Sequence, residues 1–228
     1  MVSLVPSLTE SVAATAPGLL VGATDWCSHP ADLDVTRVRG TKSPDVPAVI
    51  GLRPDLVLAN AEENREQDLD ALRAAGLAVW VTYPRTVPEA LTSLERMLAA
   101  CGLTRPDWLA EAAEVWEPPF AGHRRTALVP IWRRPWMAVG SGTFTGDVLA
   151  RLGVDNVLAD HPERYPKVDL AELPPYELVV LPDEPYAFSP TDGPECFDVP
   201  SVCVSGRLLT WYGPSLVQAR TELAAALG

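Results

Sequence analysis

Two hydrophobic periods share this chain. Short runs that are almost wholly apolar recur at residues 2–5, 20–22, 56–59, 77–82, 126–131, 178–181 and 201–204. Their length and their polar or Gly/Pro flanks predict buried strands. Between them the apolar residues fall at helical spacing, as in Leu91, Leu94, Met97 and Leu98. That helix is expected to break at Gly102 and to be followed by a second, opened by Thr104-Arg105-Pro106 and stopped before Pro118-Pro119. Strands alternating with helices argue for parallel sheets.

The pattern also repeats. Residues 7–12, beginning Ser7-Leu8-Thr9-Glu10, parallel residues 143–148, beginning Thr143-Phe144-Thr145-Gly146. Each set is expected to open a helix after a short strand, the first with Ser7 and Glu10 as a capping box. Pro54-Asp55-Leu56-Val57 parallels Pro175-Tyr176-Glu177-Leu178, and both strands lead into acidic loops, Glu62-Glu63 and Asp183-Glu184. The predicted fold class is therefore α/β, with two Rossmann-like lobes on parallel sheets, joined by a helical segment, and a ligand cleft between them. The expected boundaries are 1–86 for the first lobe, 87–117 for the connecting helices and 118–228 for the second lobe. One doubly wound domain with a chance internal echo is the alternative.

Charge and chemistry narrow the function. Eighteen basic residues against thirty acidic ones give a net charge of −12, which argues against a nucleic-acid surface. No run of 18 apolar residues is present, so no membrane-spanning helix is expected. Met1 leads directly into a strand, so the sequence as it stands reads as cytoplasmic, and as extracytoplasmic if a leader has been removed. Cys27, Cys101, Cys196 and Cys203 form no C-x-x-C pair, and three histidines form no H-x-x-x-H, so no protein-built metal site is expected. Cys27 is expected to face the cleft; a Cys27–Cys196 disulfide is left open. There is no G-x-S-x-G, P-loop or G-x-G-x-x-G, and a binding module fits better than an enzyme.

The aromatic residues carry the strongest signal. Trp26, Trp132, Tyr186, Phe188, Trp211 and Tyr212 all fall in predicted strand-to-helix connections, which gather at one edge of a parallel sheet. The stretch Pro130-Ile131-Trp132-Arg133-Arg134-Pro135-Trp136-Met137 is too rich in proline for a central strand. It predicts either exposed indoles facing a large flat or cyclic ligand, or a hairpin whose tryptophans, Trp132 and Trp136, fold back onto the lobe. Glu62, Glu63 and Glu66 are either a solvated helix start or a docking patch.

The opening Val2-Ser3-Leu4-Val5-Pro6-Ser7-Leu8-Thr9-Glu10 resembles that of the class III substrate-binding proteins of ABC importers, the helical-backbone metal-chelate receptors. The likeness continues through Asp25-Trp26-Cys27, Gly40-Thr41-Lys42, residues 52–60, Gly142-Thr143-Phe144 and Trp211-Tyr212-Gly213-Pro214, and so covers nearly the whole chain. It implies a ligand held as a finished chelate, cobalamin or a related corrinoid first, a ferric siderophore or haem second, with no intrinsic cofactor. Haem would require an axial donor such as Tyr212 or His29. The positions matching the family's ligand wall are Pro6, Trp26, Lys42, Asn60, Trp132, Phe144 and Trp211. Trp136, Tyr186, Phe188 and Tyr212 join them as candidate ligand contacts from the aromatic pattern above. The resemblance also implies docking on ABC permease subunits, through Glu66 in the first lobe and Glu184 in the second. The helix at 106–116, about 17 Å long at 1.5 Å per residue, is much shorter than the family's backbone helix. A cytosolic corrinoid carrier, sensor or chelate-modifying enzyme is the competing expectation.

Overall fold

The computed structural model describes all 228 residues, Met1–Gly228. The chain forms two compact units. The first comprises Met1–Tyr83, Ala90–Ala110 and Tyr212–Pro214; the second comprises Pro84–Glu89, Glu111–Trp211 and Ser215–Gly228.

In the first unit the elements run β1 (Val2–Ser3), α1 (Pro6–Thr15), β2 (Gly22–Ala23), β3 (Thr36–Arg37), β4 (Arg39–Gly40), β5 (Ser43–Pro44), α2 (Val46–Gly51), β6 (Val57–Asn60), α3 (Glu66–Ala74) and β7 (Val79–Thr82). Five of these strands form a wholly parallel sheet in the order β3-β2-β1-β6-β7. β4 and β5 pair as a separate small antiparallel ladder. Val2, Leu4, Val38, Val49, Val57, Ala59, Leu69 and Leu72 form a continuous buried cluster. Nearly continuous apolar strands are what a parallel sheet covered on both faces requires.

Two helices follow, α4 (Val87–Ala100) and α5 (Asp107–Trp116). Gly102, at φ 73°, makes the predicted break, since a left-handed residue there carries no Cβ penalty. Residues 90–110 pack with the first unit and 111–116 with the second. At about 1.5 Å per residue the 14-residue α4 is about 21 Å long.

The second unit holds β8 (Arg125–Leu128), β9 (Pro130–Trp132), β10 (Met137–Ala138), α6 (Phe144–Arg151), β11 (Val154–Asn156), β12 (Leu178–Pro182), β13 (Ser201–Val204), α7 (Gly206–Thr210) and α8 (Leu216–Leu227). Its four-stranded parallel sheet has the order β11-β8-β12-β13. β12 is buried at all five positions. Arg220 donates to the carbonyls of Val115 (2.5 Å) and Pro118 (2.6 Å) and lies over the Trp116 ring, while Trp116 Nε1 donates to Leu216 O at 2.9 Å. These contacts close the end of α5 against α8.

The two predicted helix starts differ. Thr143 caps α6 as expected, its Oγ1 accepting from Gly146 N at 3.1 Å. At α1 the capping box does not form. Pro6 takes the first turn, Val5 is the residue before it, and no side chain caps the helix. Proline there pre-sets φ and has no N–H to satisfy, which moves Ser7 inside the helix.

Candidate functional site

Trp26 is the most exposed large apolar side chain of the first unit, with 67% of its surface accessible. Its turn is nonetheless firmly mounted. Cys27 N donates to Thr24 O at 3.1 Å, and Arg37 Nη1 donates to the carbonyls of both Thr24 (3.0 Å) and Cys27 (2.9 Å). Cys27 is fully buried, its Sγ 3.0 Å from Thr9 Oγ1 and 3.1 Å from Thr24 Oγ1. Burial pushes its thiol above the ordinary range, the two threonine hydroxyls opposing that shift. The expectation that Cys27 faces a ligand is therefore corrected: its small apolar sulfur is a peg under the turn that presents Trp26. A side chain at Gly40 would press on the indole, its Cβ meeting Trp26 Nε1 at 3.3 Å, so glycine leaves the ring its place.

Asn60 and Tyr212, both expected on a ligand wall, are buried (3% and 7% exposed) and bonded to each other. Asn60 Nδ2 donates to the Tyr212 hydroxyl at 2.7 Å, and Thr82 Oγ1 lies 2.8 Å from that oxygen. Asn60 Oδ1 accepts from the amides of Glu62 (2.7 Å) and Glu63 (3.2 Å), folding the acidic loop back on its own strand. Asn64 continues the network, accepting from Asn60 N and donating to Leu4 O and Thr41 O. A buried amide with four bonds to make is satisfied here by the protein itself. Burial raises the Tyr212 phenol to about 12, its hydroxyl and amide partners notwithstanding. Both residues are thus internal struts. Lys42 is exposed, and its Nζ donates to the Glu62 carbonyl, so this ammonium braces the same loop. Pro6 is half-buried at the start of α1, and Glu66 is exposed in the first turn of α3.

In the second unit β9 and β10 make the hairpin that the proline-rich stretch allowed, antiparallel with Met137 opposite Trp132. The two indoles part company on it. Trp136 turns inward, stacked on Phe188 at 6.2 Å and 3° and edge-on to Phe197 at 5.4 Å. Phe188, expected to contact a ligand, is 3% exposed and packs with Val179 and Leu181 in the core of the second unit. Gly193, at φ 132°, serves this core, since a Cβ there would meet Phe188 Cδ1 at 2.8 Å. Trp132 stays 43% exposed, edge-to-face with half-buried Tyr186 at 5.7 Å. Phe144 and Trp211 are buried too (5% and 8% exposed), the latter with the Arg207 guanidinium 5.8 Å above its ring. Glu184 is half-buried in the loop after β12, where it crowds Gly206.

Sequence reading overlooked the groups that hold these rings. Arg133 is 14% exposed and pairs with Asp192 and with Glu195, the latter at 2.7 Å; Nη2 also reaches Cys196 Sγ at 3.1 Å. Tyr186 donates its hydroxyl to Asp192 Oδ2 at 2.7 Å, and that bond holds the phenol above its usual range. The N–H of Gly193 in turn holds the Glu195 carboxyl below the carboxylate range. Cys27 and Cys196 are both free thiols. The signal for this cluster was an arginine beside a tryptophan in a hairpin, with two acids spaced three apart in a distant loop.

No protein-family model matches the chain. Its fold is that of the two-lobed periplasmic binding proteins. A periplasmic heme-binding protein from Roseiflexus sp. RS-1 superposes with a TM-score of 0.78 at 18% identity, over 99% of this chain and 96% of that one. The periplasmic vitamin B12-binding protein BtuF of Vibrio cholerae gives 0.73 at 18% identity, over 99% and 96%.

Similar curated proteins include vitamin B12-binding proteins. The vitamin B12-binding protein of Pectobacterium carotovorum subsp. carotovorum is 20% identical across all of this chain and 87% of its own length. That of Photorhabdus laumondii is 24% identical over 76% of this chain and 66% of itself. In sequence and in fold the chain resembles the class III substrate-binding proteins.

Proposed function

We propose that this chain is a binding protein for a metal chelate, cobalamin or a related corrinoid first, serving ABC-type uptake outside the cytoplasm. The observation that carries the reading is that each unit holds one large indole in water, Trp26 in the first and Trp132 in the second, on a hydrogen-bonded mount. Exposed rings fixed in place lose little conformational freedom on meeting a flat ligand. They suit a macrocycle that brings its own metal. The similarity to vitamin B12-binding proteins supports the same choice. Pro6, Lys42 and Tyr186 are further contacts in this reading, and Glu66 and Glu184 dock on the permease.

Haem is the second reading, favoured by the fold shared with the Roseiflexus protein. It needs an axial donor, and Tyr212 is poorly placed to be one. Its hydroxyl is engaged by Asn60 and Thr82, and its pKa near 12 opposes the phenolate that ferric iron prefers. The test is incubation with cobalamin, haem and ferric chelates, each followed by gel filtration and visible absorbance. Co-elution of cobalamin is expected. Co-elution of haem or a ferric siderophore alone would replace the first reading with the second, and retention of none would end both.

A further inference from the structure

Trp132 is held in place by groups that lie mostly in a loop sixty residues away in sequence. The Asp192 carboxylate has two side-chain partners, one next to that indole in sequence and one packed against its ring. Its Oδ1 takes Nη1 of Arg133, the residue after Trp132 in the hairpin. Its Oδ2 takes the hydroxyl of Tyr186, whose ring stands at 81° to the Trp132 ring. Asp192 is itself fixed by a reciprocal pair of backbone bonds with Ser189, each 3.1 Å. Arg133 is then shared with Glu195 and lies 5.7 Å above Trp136, which is stacked on the core ring Phe188. Directly after Arg133 the chain passes through Arg134 at φ 98°, a conformation that a non-glycine residue holds only when its surroundings impose it. One carboxylate thus ties the backbone that carries Trp132 to the ring that packs against it.

Resting on the function proposed above, we infer that Asp192 is a positioning residue for chelate binding: it presets the orientation of Trp132 through Arg133 and Tyr186. A preset aromatic face binds more tightly than a mobile one, because its rotamer freedom is already lost before the ligand arrives. These bonds are all made within the chain, so they can be probed without ligand.

The experiment has two readouts. The first is acrylamide quenching of Trp132 emission in ligand-free protein, obtained by subtracting the emission of Trp132→Phe. Asp192→Ala should make this component more quenchable, and Asp192→Asn, which keeps one acceptor oxygen, should fall between Asp192→Ala and wild type. The second is cobalamin affinity, expected to fall about three- to tenfold in Asp192→Ala, the range of one aromatic contact. In a Trp132→Ala background the same substitution should change affinity by less than about twofold, because the two residues act as one unit. Quenching unchanged in Asp192→Ala, or an equal loss of affinity in both backgrounds, would overturn the inference and leave the binding function standing. Unchanged affinity in Trp132→Ala would overturn the Trp132 part of that function itself, and the inference with it.

Discussion

Trp26 and Trp132 are alike in exposure and opposite in support. The first unit carries its indole on a buried thiol between two threonine hydroxyls and on carbonyls that the exposed Arg37 guanidinium grips, with no carboxylate in the mount. The second carries its indole on partly exposed charges, Arg133 against Asp192 and Glu195, and on ring contacts that run into the core through Phe188. A mount of thiol, hydroxyls and guanidinium-to-carbonyl bonds holds no group that acid would neutralise. An ionic, half-exposed mount is weakened by salt, though less than charges farther apart than the Debye length of about 8 Å at physiological ionic strength, and depends on carboxylates staying charged. The same task, fixing a ring in water, has been met by two different balances of burial and charge.

The largest expected effect breaks the aromatic core of the second unit. Phe188→Ala should cost about 3–5 kcal/mol in urea unfolding, since it empties a fully packed site, and should loosen Trp136 and Tyr186 together. The next sharpens the contrast in the first unit. Tyr212→Phe should cost about 1–3 kcal/mol by leaving the Asn60 amide without its best acceptor.

The same tyrosine predicts an alkaline limit. Its folded pKa is raised to about 12 from the ordinary value near 10, so the folded state keeps a proton that the unfolded chain gives up. Stability is full below the unfolded pKa and is lost as pH rises through the folded one, by roughly 2–3 kcal/mol in all. Urea midpoints from about pH 8 to about pH 11 should fall in wild type and fall less in Tyr212→Phe.

The second unit has its limit at the acid end. Glu177 is held below the carboxylate range first by the Thr126 amide and then by the Thr126 hydroxyl, and Asp155 first by its hydrogen bond to Arg124. Depressed carboxylates contribute stability above their unfolded pKa of about 4 and lose it as pH falls through the folded value. Glu177→Gln should lower the urea midpoint at neutral pH, where the depressed carboxylate contributes, and bring it toward wild type in acid, so that the acid sensitivity falls. Smallest of all, Trp26→Ala and Trp132→Ala should alter stability by less than about 0.5 kcal/mol, as exposed side chains do.

Much of the architecture was legible because parallel strands are apolar throughout and because Gly102 and Pro118-Pro119 punctuate helices. Val57–Asn60 and Leu178–Pro182 are such strands, and both lie in parallel sheets. The candidate site was legible only in part. Placement in a strand-to-helix connection identifies a ring near a sheet edge but not the direction in which it turns. Trp132 and Trp136 sit four residues apart on one hairpin, yet Trp136 stacks on Phe188 while Trp132 meets Tyr186 at 81° and stays 43% exposed. Tyr212 could not be placed from its neighbours, because its partners Asn60 and Thr82 are more than a hundred residues away. Cys27 was misjudged for a related reason: a lone thiol beside an exposed Trp shows no sign of the two threonines that enclose it. Asp192 went unremarked because its chemistry is ordinary and only its two partners make it special.

The central claim is that the solvent-exposed indoles meet the chelate while the buried phenol does not. It is tested most directly by titrating cobalamin into wild type, Trp26→Ala, Trp132→Ala and Tyr212→Phe and reading the dissociation constant by calorimetry. The account predicts a loss of about fivefold or more for each tryptophan variant, the equivalent of about 1 kcal/mol, and little change for Tyr212→Phe. Wild-type affinity in both tryptophan variants, with binding lost in Tyr212→Phe, would contradict it.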